Sequence, residues 1–456
     1  MQRIVSLLLP LSMACSAMSP APALAAGSTA ADKPAWSAGV VRTAHPSKPS
    51  APGRTRQSGT SIPVAAPDAV APDVDALVAD FDRWVDVVAT SDGVIGLAAA
   101  IVKDERVVIE KTVGFVDAGT REPVEPETVF RVASLSKAFA AALTGLLVEE
   151  GRVRWDTRVS DLLPAFMLSD EEGSGRVGLS ELLSHRLGLP FNTFDRLLER
   201  NEPYERLVGR LHEVRLTCPV GECYAYQNVA FSLIGDVVYA TTGDFFAHQV
   251  EKRIFHPLGM RNATYGRQAL LGSRSWARPH RREGDTWLPL LPNDTYYRVA
   301  PAAGVNASLR DMEKWLIAQF GTRPDVLSPA LLATLHGPLV ETRAETRATP
   351  WRRGRLNDAR YALGWRVYDY AGVNLLFHAG AVRGYRAMIA FLPDRHFGVV
   401  MLWNSESATP AGLLPMVLDR YLGLPYMDWA GVEELSPATE AGKVASGGTR
   451  APTVRH

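Results

Sequence analysis

Strand-like and helix-like segments are unevenly distributed along this chain, and their distribution restricts the fold more than any other feature. Runs rich in β-branched residues occur near both ends, whereas the middle carries mainly helical patterns. The strand candidates are residues 97–102, 107–112, 373–377, 385–392 and 397–402. The pattern predicts a mixed α/β (α+β) fold in which both chain ends complete one antiparallel sheet.

Helical patterns account for most of the remaining chain. Residues 74–85 repeat apolar positions at spacings of three and four, which predicts an amphipathic first helix. The other helical segments are residues 135–150, 228–241, 245–255, 309–320 and 411–421. Ser308 precedes one of them and is expected to cap it by accepting an amide hydrogen. We expect the terminal helices to flank the sheet and the others to form an inserted, mainly helical region.

Residues 1–25 are typical of a secretory signal peptide. Arg3 gives a positive start, an apolar stretch follows, and Ala23-Leu24-Ala25 supplies small residues for cleavage. The alternative, an amphipathic helix, lacks polar residues at helical spacing. We therefore expect an exported protein, periplasmic or secreted. Lipidation at Cys15 is a lesser alternative because the residues before it match a processing site poorly.

Composition sets the domain limits and excludes several kinds of partner. Residues 26–73 are rich in Ala, Pro and Ser and lack periodicity, which predicts a disordered linker; residues 430–456 predict a similar tail. The folded domain is thus expected at residues 74–429. Lys+Arg and Asp+Glu each total 49, so no global charge favours nucleic acid. After the signal no apolar run reaches eighteen residues, so the mature protein should lack a transmembrane segment.

Three short motifs each occur once, in the order Ser134-Leu135-Ser136-Lys137, Tyr226-Gln227-Asn228 and His378-Ala379-Gly380. At ordinary residue frequencies a chain of this length contains about two chance Ser-x-x-Lys matches, so the order and context of the motifs carry the signal. No Cys/His cluster or His-Glu-x-x-His run is present, so neither a metal nor another cofactor is expected.

The first motif can supply a nucleophile and its base. If Ser134 begins the helix predicted through residue 150, Lys137 lies one turn later on the same face. A partly desolvated amine near a helix N-terminus can lose its proton near neutral pH and then deprotonate the Ser134 hydroxyl. For an isolated match, the alternative is a surface serine and lysine.

The second motif precedes a predicted helix, so its side chains can project from one loop. Beside Lys137, Tyr226 would have a stabilised phenolate and could pass a proton to the leaving group. Asn228 could bind a substrate amide carbonyl and orient Lys137. The alternative is a buried tyrosine with a satisfied hydroxyl and a helix-capping asparagine.

The third motif follows an apolar run, which predicts an edge strand. His378 and Gly380 are interpreted as substrate-binding, with Gly380 allowing close approach of the substrate backbone. The amides of Ser134 and Ala381 could form an oxyanion hole, in which one donor typically contributes about 3 kcal/mol. The alternative for His378 is a partly exposed strand histidine.

Cys218 and Cys223 flank a turn-rich Pro-Val-Gly-Glu segment. In an oxidising compartment they could form a disulfide that stiffens the approach to Tyr226. So small a loop gains only about 2 kcal/mol from chain entropy. The alternative is two free thiols.

Together these residues resemble the active site of the serine β-lactamase and penicillin-recognising hydrolase superfamily, particularly its class C β-lactamase branch. The likeness extends over about residues 94–422. It is strengthened by segments 130–137, 182–190, 256–260 and 361–365. The resemblance implies a mixed α/β-plus-helical fold with Ser134 as nucleophile, Lys137 and Tyr226 as acid/base pair and Asn228 as substrate holder. It also implies that His185 and the segment around Leu258 are mainly structural.

The third motif departs from the class C pattern. Class C β-lactamases usually have Lys-Thr-Gly there, and the cation and hydroxyl help to engage a substrate carboxylate. Some carboxypeptidases and D-aminopeptidases in that branch carry His first, but Ala379 lacks the hydroxyl. Arg383 could supply a charge or be an exposed structural arginine. Efficient β-lactamase activity is therefore not expected, although slow acylation by β-lactams is.

The sequence thus predicts an exported serine hydrolase that cleaves amide bonds of the β-lactam or D-amino-acid peptide type through acyl-Ser134. Its partner would be a small molecule or peptide. Two alternatives stay open: a carboxylesterase on the same fold, and a penicillin-binding or sensor protein without turnover. The lack of Gly-x-Ser-x-Gly disfavours an unrelated nucleophile-elbow hydrolase.

Overall fold

The computed structural model describes residues 73–435, so the predicted signal peptide, nearly all of the predicted linker and residues 436–456 lie outside the described residues. The strands of the described range are β1 (Gly96–Lys103), β2 (Arg106–Gly114), β3 (Val129–Arg131), β4 (Thr264–Tyr265), β5 (His280–Glu283), β6 (Thr286–Pro289), β7 (Val305–Ser308), β8 (Val340–Glu341), β9 (Leu356–Tyr361), β10 (Arg366–Tyr370), β11 (Val373–Val382), β12 (Tyr385–Leu392) and β13 (Phe397–Trp403).

Helices surround these strands, and most of them lie in the central half of the chain. They are α1 (Val74–Ala89), α2 (Ser136–Glu149), α3 (Val159–Leu162), α4 (Glu171–Ser174), α5 (Leu179–Leu183), α6 (Asp195–Glu199), α7 (Tyr204–Val208), α8 (Leu233–Thr242), α9 (Phe246–Val250), α10 (His256–Leu258), α11 (Arg267–Leu271), α12 (Ala300–Ala303), α13 (Leu309–Ile317), α14 (Pro329–His336), α15 (Pro350–Arg355), α16 (Leu413–Leu422) and α17 (Val432–Leu435). Among residues 73–435, no helix combines the length and apolar character that crossing a bilayer requires.

The main sheet joins the two ends of the domain. Its eight antiparallel strands lie in the order β2-β1-β13-β12-β11-β10-β9-β8. The early strand β1 pairs directly with the last strand β13, with Leu97 opposite Trp403. Helices α1 and α16 pack on this sheet, and the helical region is inserted between β2 and the later strands. The predicted fold class is therefore confirmed.

Both faces of the central strands of the sheet are buried. Along β1, Ala98 and Ala100 belong to the core shared with the helical region, whereas Leu97 and Ala99 belong to the core under the terminal helices. Successive strand residues point to opposite faces, so a strand covered on both sides reads as an unbroken apolar run. This explains why the central strands were recognisable in the sequence.

Strands β9 and β10 were missed because they are more polar. Leu356, Ala359 and Tyr361 are buried in β9, but Asn357 and Arg360 are exposed. Side chains on these outer strands face the solvent on one side, so charged residues interrupt the apolar run that marks a central strand.

The boundary of the predicted tail is corrected. Residues 430–435 were assigned to a disordered tail, but Val432–Leu435 form a short helix with Val432 buried. The carboxylate of Asp428 accepts hydrogen bonds from the backbone amides of Val432 and Glu433, at 2.8 and 2.9 Å. This pairing satisfies two amides at the start of the helix and ties it to the domain.

The predicted cap at Ser308 provides a test of the fold. Its hydroxyl accepts from the Asp311 amide, and Asp311 accepts from the Ser308 amide at 3.0 Å. We expect Ser308→Ala to lower the free energy of unfolding by about 1 kcal/mol, because one buried amide loses its acceptor. Urea denaturation would measure this. The control is Thr334→Ala on the exposed side of α14, expected within about 0.5 kcal/mol of wild type; equal effects of the two variants would contradict the cap.

Candidate active site

A strained turn presents the hydroxyl of Ser134. Ala133, immediately before it, has φ +49, which is unfavourable for a residue with a Cβ. The turn is held by Ser136, whose hydroxyl donates to the Ala133 carbonyl at 2.6 Å and accepts from the Val305 amide at 3.0 Å. Ser134 is thereby left partly exposed while its neighbours are buried. The first motif thus places a serine hydroxyl at the surface of a packed core.

Lys137 is the second residue of α2, about one turn after Ser134, and is fully buried. Its Nζ donates to Asn228 Oδ1 at 2.7 Å and to the Ala302 carbonyl at 3.1 Å. Burial lowers the pKa of Lys137 well below its usual value; the Asp195 carboxylate opposes this shift, and the Arg366 guanidinium adds to it. A neutral amine has two N–H bonds and one lone pair. Because two carbonyl oxygens accept both N–H bonds, the lone pair is free to take a proton.

Tyr226 connects the first two motifs. Its side chain is buried, its hydroxyl is hydrogen-bonded to Ser134, and Lys137 Nζ lies 4.5 Å from the centroid of its ring. Burial raises the pKa of Tyr226, although the bond to Ser134 and the charge of Arg366 oppose the shift. The phenol therefore keeps its proton, which corrects the prediction of a stabilised phenolate. The low-pKa partner of this pair is the lysine.

Asn228 is oriented by a residue that the sequence reasoning missed. Its amide nitrogen donates to Asp195 Oδ2 at 2.7 Å, which directs its carbonyl oxygen toward Lys137. Asp195 is 6% exposed, and burial raises its pKa to about 6. It begins α6 after Phe194, whose φ is +66. No residue pattern marks Asp195 in the sequence, because its role depends on a contact 33 positions away.

The His378 side chain has a different environment from the predicted one. It is buried; its Nδ1 lies 2.9 Å from the Ala379 carbonyl, and its Nε2 lies 3.3 Å from the Tyr361 hydroxyl. Burial, together with Arg366 and Lys137, lowers its pKa well below the usual value, so the ring is neutral. Both ring nitrogens contact protein groups in this structure, and substrate binding by His378 stays a prediction.

The same Tyr361 hydroxyl also links His185 to the site. His185 Nε2 lies 3.2 Å from that hydroxyl, and Nδ1 accepts from the Gln227 amide at 3.2 Å. The two histidines and the tyrosine therefore tie the loop of the second motif to the strand of the third. This geometry agrees with a structural His185.

Gly380 lies where β11 packs against the nucleophile turn. Strand β10 pairs with β11 only as far as Phe377, so residues 378–382 pair with β12 alone. A Cβ added to Gly380 would lie 2.2 Å from the Val132 carbonyl oxygen. The glycine therefore permits close contact between two parts of the protein, and its part in substrate binding stays a prediction. Ala381, the next residue, is exposed.

The arrangement matches a known family. A family model described as Beta-lactamase matches residues 75–418. The chain belongs to the β-lactamase family. It is 27% and 29% identical to the unguisins hydrolases of Aspergillus violaceofuscus and Aspergillus campestris, over 78% and 66% of this chain. It spans 67% and 57% of the lengths of those two proteins.

Solved structures agree in fold. The octameric penicillin-binding protein homologue from Pyrococcus abyssi superposes with a TM-score of 0.67 at 22% identity, covering 82% of this chain and 81% of that one. SurE with D-Leu gives 0.60 at 21% identity, covering 77% of each chain. The class C β-lactamase from Rhodobacter sphaeroides gives 0.60 at 22%, covering 76% of this chain and 98% of that one. The predicted resemblance to this superfamily is confirmed.

Two clefts border the site of this β-lactamase-family protein. Phe191 is 66% exposed, lines both clefts and lies 6.3 Å from Tyr226 between ring centroids. A cleft of about 580 Å³ includes Asp195, and another of about 700 Å³ includes Tyr224. The Cys218–Cys223 disulfide is present, and Cys223 lines the larger cleft. Among the described residues, no group of three His, Cys, Asp or Glu side chains could hold a metal ion.

The role of Gly380 gives a direct prediction. We expect Gly380→Ala to lower the free energy of unfolding by about 3 kcal/mol, because the added methyl meets backbone that cannot yield. Thermal and urea denaturation would measure the loss. Gly175→Ala is the matched control: its methyl would lie 3.6 Å from the nearest atom, an ordinary contact. If both variants were as stable as wild type, the packing of β11 against the nucleophile turn would be contradicted.

Proposed function

We propose that this protein is a serine hydrolase that forms an acyl-Ser134 intermediate. The observation that carries the proposal is the state of Lys137: a fully buried amine with a lowered pKa, whose N–H bonds are both accepted by carbonyl oxygens. A base of this kind needs a proton donor nearby. Tyr226, whose ring centroid lies 4.5 Å from Lys137 Nζ and whose hydroxyl is hydrogen-bonded to Ser134, is proposed to connect the two.

The proton transfers follow from these contacts. Ser134 Oγ attacks the substrate carbonyl carbon and forms a C–O bond, while its proton passes to the Tyr226 oxygen. Tyr226 passes its own proton to Lys137, which becomes an ammonium. When the tetrahedral intermediate collapses, the bond to the leaving group breaks and the proton returns along the same path to that group. Water then attacks the acyl carbonyl carbon and gives its proton through Tyr226 to Lys137. The bond to Ser134 Oγ breaks, the proton returns to that oxygen, and the free acid leaves.

The developing oxyanion needs donors that do not have to move. We propose the backbone amides of Ser134 and Ala381, because the packing of Gly380 on Val132 brings the exposed end of β11 beside the nucleophile turn. Two such amides would stabilise the transition state without side-chain rearrangement. Asn228 already binds Lys137 and Asp195, and we propose that its amide nitrogen also faces a substrate carbonyl.

The substrate class is proposed to be peptide amides that contain D-amino acids or resemble them. Two similarities support this choice. The fungal relatives are named as unguisins hydrolases, which supports hydrolysis, and SurE with D-Leu, a solved structure of similar fold, supports a D-amino-acid group in the substrate. The exposed Phe191 separates two clefts, and each cleft could hold one of the substrate side chains that flank the scissile bond.

Ester hydrolysis is the second candidate, favoured by the third motif. A neutral, buried His378 followed by Ala379 provides neither the cation nor the hydroxyl that would hold a substrate carboxylate. Arg383 is exposed and makes no ion pair within residues 73–435. It lies in the turn that follows β11, beyond the strand residues of the third motif. Substrates without a free carboxylate, including simple esters, would lose nothing at such a site.

Export remains part of the proposal. The Cys218–Cys223 disulfide supports it, because such bonds persist mainly in oxidising compartments. Fractionation of cells, with N-terminal sequencing of the mature protein, would test it; an uncut, cytosolic chain would contradict it.

The nucleophile is tested by covalent labelling. A fluorophosphonate probe and a fluorescent penicillin should label the wild type on Ser134 and leave Ser134→Ala unlabelled, because only the former has the attacking oxygen. Intact-mass spectrometry would measure both. Thermal denaturation controls for folding. Equal labelling of the two proteins would remove Ser134 from the mechanism, and a stable penicillin adduct without turnover of any substrate would favour the sensor alternative.

The same assay tests the Asp195–Asn228–Lys137 chain. Asp195→Ala should reduce the rate of Ser134 labelling by about 10- to 100-fold, because Asn228 loses the acceptor that aligns it. Asp195→Asn retains an acceptor oxygen and should stay within about fivefold of wild type. Similar rates for all three proteins would show that Asp195 does not position Asn228.

A further inference from the structure

The site contains no cation where class C β-lactamases carry the lysine of the third motif. His378 takes that position, and its buried ring is neutral with both nitrogens occupied. The charge of Lys137 cannot compensate, because Lys137 itself is the group that must lose a proton. A different positive charge near Tyr226 is therefore of interest.

Arg366 provides such a charge from the adjacent strand. It begins β10 opposite Phe377, the residue immediately before His378. Its guanidinium carbon lies 5.7 Å from the Tyr226 ring centroid and 5.8 Å from that of Tyr361. The side chain is only 14% exposed, so its charge is weakly screened by water.

A single carboxylate fixes this arginine. Glu345 Oε1 lies 2.6 Å from a terminal guanidinium nitrogen of Arg366. Its other oxygen, Oε2, forms an ion pair with Arg352 and accepts a hydrogen bond from the Tyr368 hydroxyl at 3.0 Å. Two guanidinium groups thus share one carboxylate, which leaves one net positive charge in the cluster. Arg352 lies over the rings of Trp351, Tyr368 and Phe377. The excess charge therefore faces the active site through Arg366.

We propose that Arg366, held by Glu345, is a positioning residue that supplies the site with a positive charge which the third motif lacks. It acts through Tyr226 and Lys137: its positive charge disfavours a second cation nearby and so keeps the Lys137 amine unprotonated and able to accept a proton. This inference rests on the proposed function and adds to it a residue that none of the three motifs contains.

The other charged or titratable groups around Tyr226 leave few competitors for this role. The pKa values of His185 and His378 are lowered well below the usual range by burial, so both rings are neutral in working conditions. Burial raises the pKa of Tyr224 to about 12 and that of Tyr361 further, so both phenols are neutral.

Asp195 is the remaining group. Its pKa is raised to about 6, so it titrates within the useful pH range, but its charge is negative and opposes the effect of Arg366 on Lys137. An Asp195→Asn background therefore separates the titration of Asp195 from that of Lys137.

The sign of the pH effect follows from the charges. Labelling of Ser134 requires unprotonated Lys137, so the rate falls as the pH is lowered through the titration of this amine. Removing the Arg366 charge makes protonation of Lys137 easier, and the acid limb of the profile should move to higher pH. Because the site is mostly buried and its charges are weakly screened, a shift of about one pH unit is expected.

The experiment measures the second-order rate constant of fluorophosphonate labelling from pH 5 to 9 for the full-length protein. Arg366→Gln should shift the acid limb upward, and Arg366→Lys should restore most of the wild-type position because it keeps the charge. Arg352→Gln is the matched control. Arg352 shares Glu345 and is 11% exposed, but its guanidinium faces other rings, so its loss should move the limb clearly less than Arg366→Gln does.

Each outcome has one interpretation. A uniform loss of rate in Arg366→Gln without movement of the limb would mean a structural role and would overturn the inference, as would equal shifts for Arg352→Gln and Arg366→Gln. If Arg366→Gln moved the acid limb only in the presence of Asp195 and not in the Asp195→Asn background, the titrating group would be Asp195, and the inference would again be overturned. Failure of the wild type to label on Ser134 would instead refute the proposed function itself. If Arg366→Gln unfolds, Glu345→Gln takes its place: it removes a negative charge from the cluster, so the limb should move to lower pH, and an unchanged or upward-shifted limb overturns the inference.

Discussion

The site depends on keeping one lysine in a dry interior. An ammonium that is fully buried loses most of its hydration, and the neutral amine is favoured unless a counter-charge compensates. The alanine-rich helix α2 packs around Lys137, while Asn228 and Ala302 accept its two N–H bonds. The nearest carboxylate, Asp195, contacts Asn228 instead of the amine. The lysine is thus stabilised in the form that accepts a proton, and the remaining site residues are arranged around that form.

The sheet places this base beside its nucleophile through two close backbone contacts. Strand β11 contacts the nucleophile turn at Gly380. Gly364, with φ +74, packs against the backbone of Lys137 so closely that an added Cβ would lie 2.6 Å from the Lys137 carbonyl oxygen. The strained Ala133 turn persists because hydrogen bonds of Ser136 hold it on both sides. Strain of this type survives only where the surroundings fix it, and it is common at functional sites. Rigid packing, more than any single side chain, therefore aims the Ser134 hydroxyl.

The third motif shows how a family site can change its electrostatics while keeping its geometry. His378 preserves the packing of β11 through its bonds to Tyr361 and the Ala379 carbonyl, but it carries no charge. The net positive charge lies instead on the cluster of Arg352, Glu345 and Arg366, one strand away. A cation in this position can influence proton transfer without being presented to a substrate carboxylate. This separation would favour substrates that lack a free carboxylate, whether amides or esters.

The sequence alone determined the antiparallel sheet built from both chain ends, because strands buried on both faces leave long apolar runs. It also identified the residues that the structure brings together, namely Ser134, Lys137, Tyr226 and Asn228, because their three motifs occur in order and the flanking segments resemble those of the β-lactamase superfamily. Only the tertiary structure decided which of them keeps its proton, since desolvation depends on segments more than a hundred positions apart. For the same reason it alone revealed the contacts of Asp195 and Arg366 and the close packing of His378 and Gly380, because contacts between distant segments leave no local pattern.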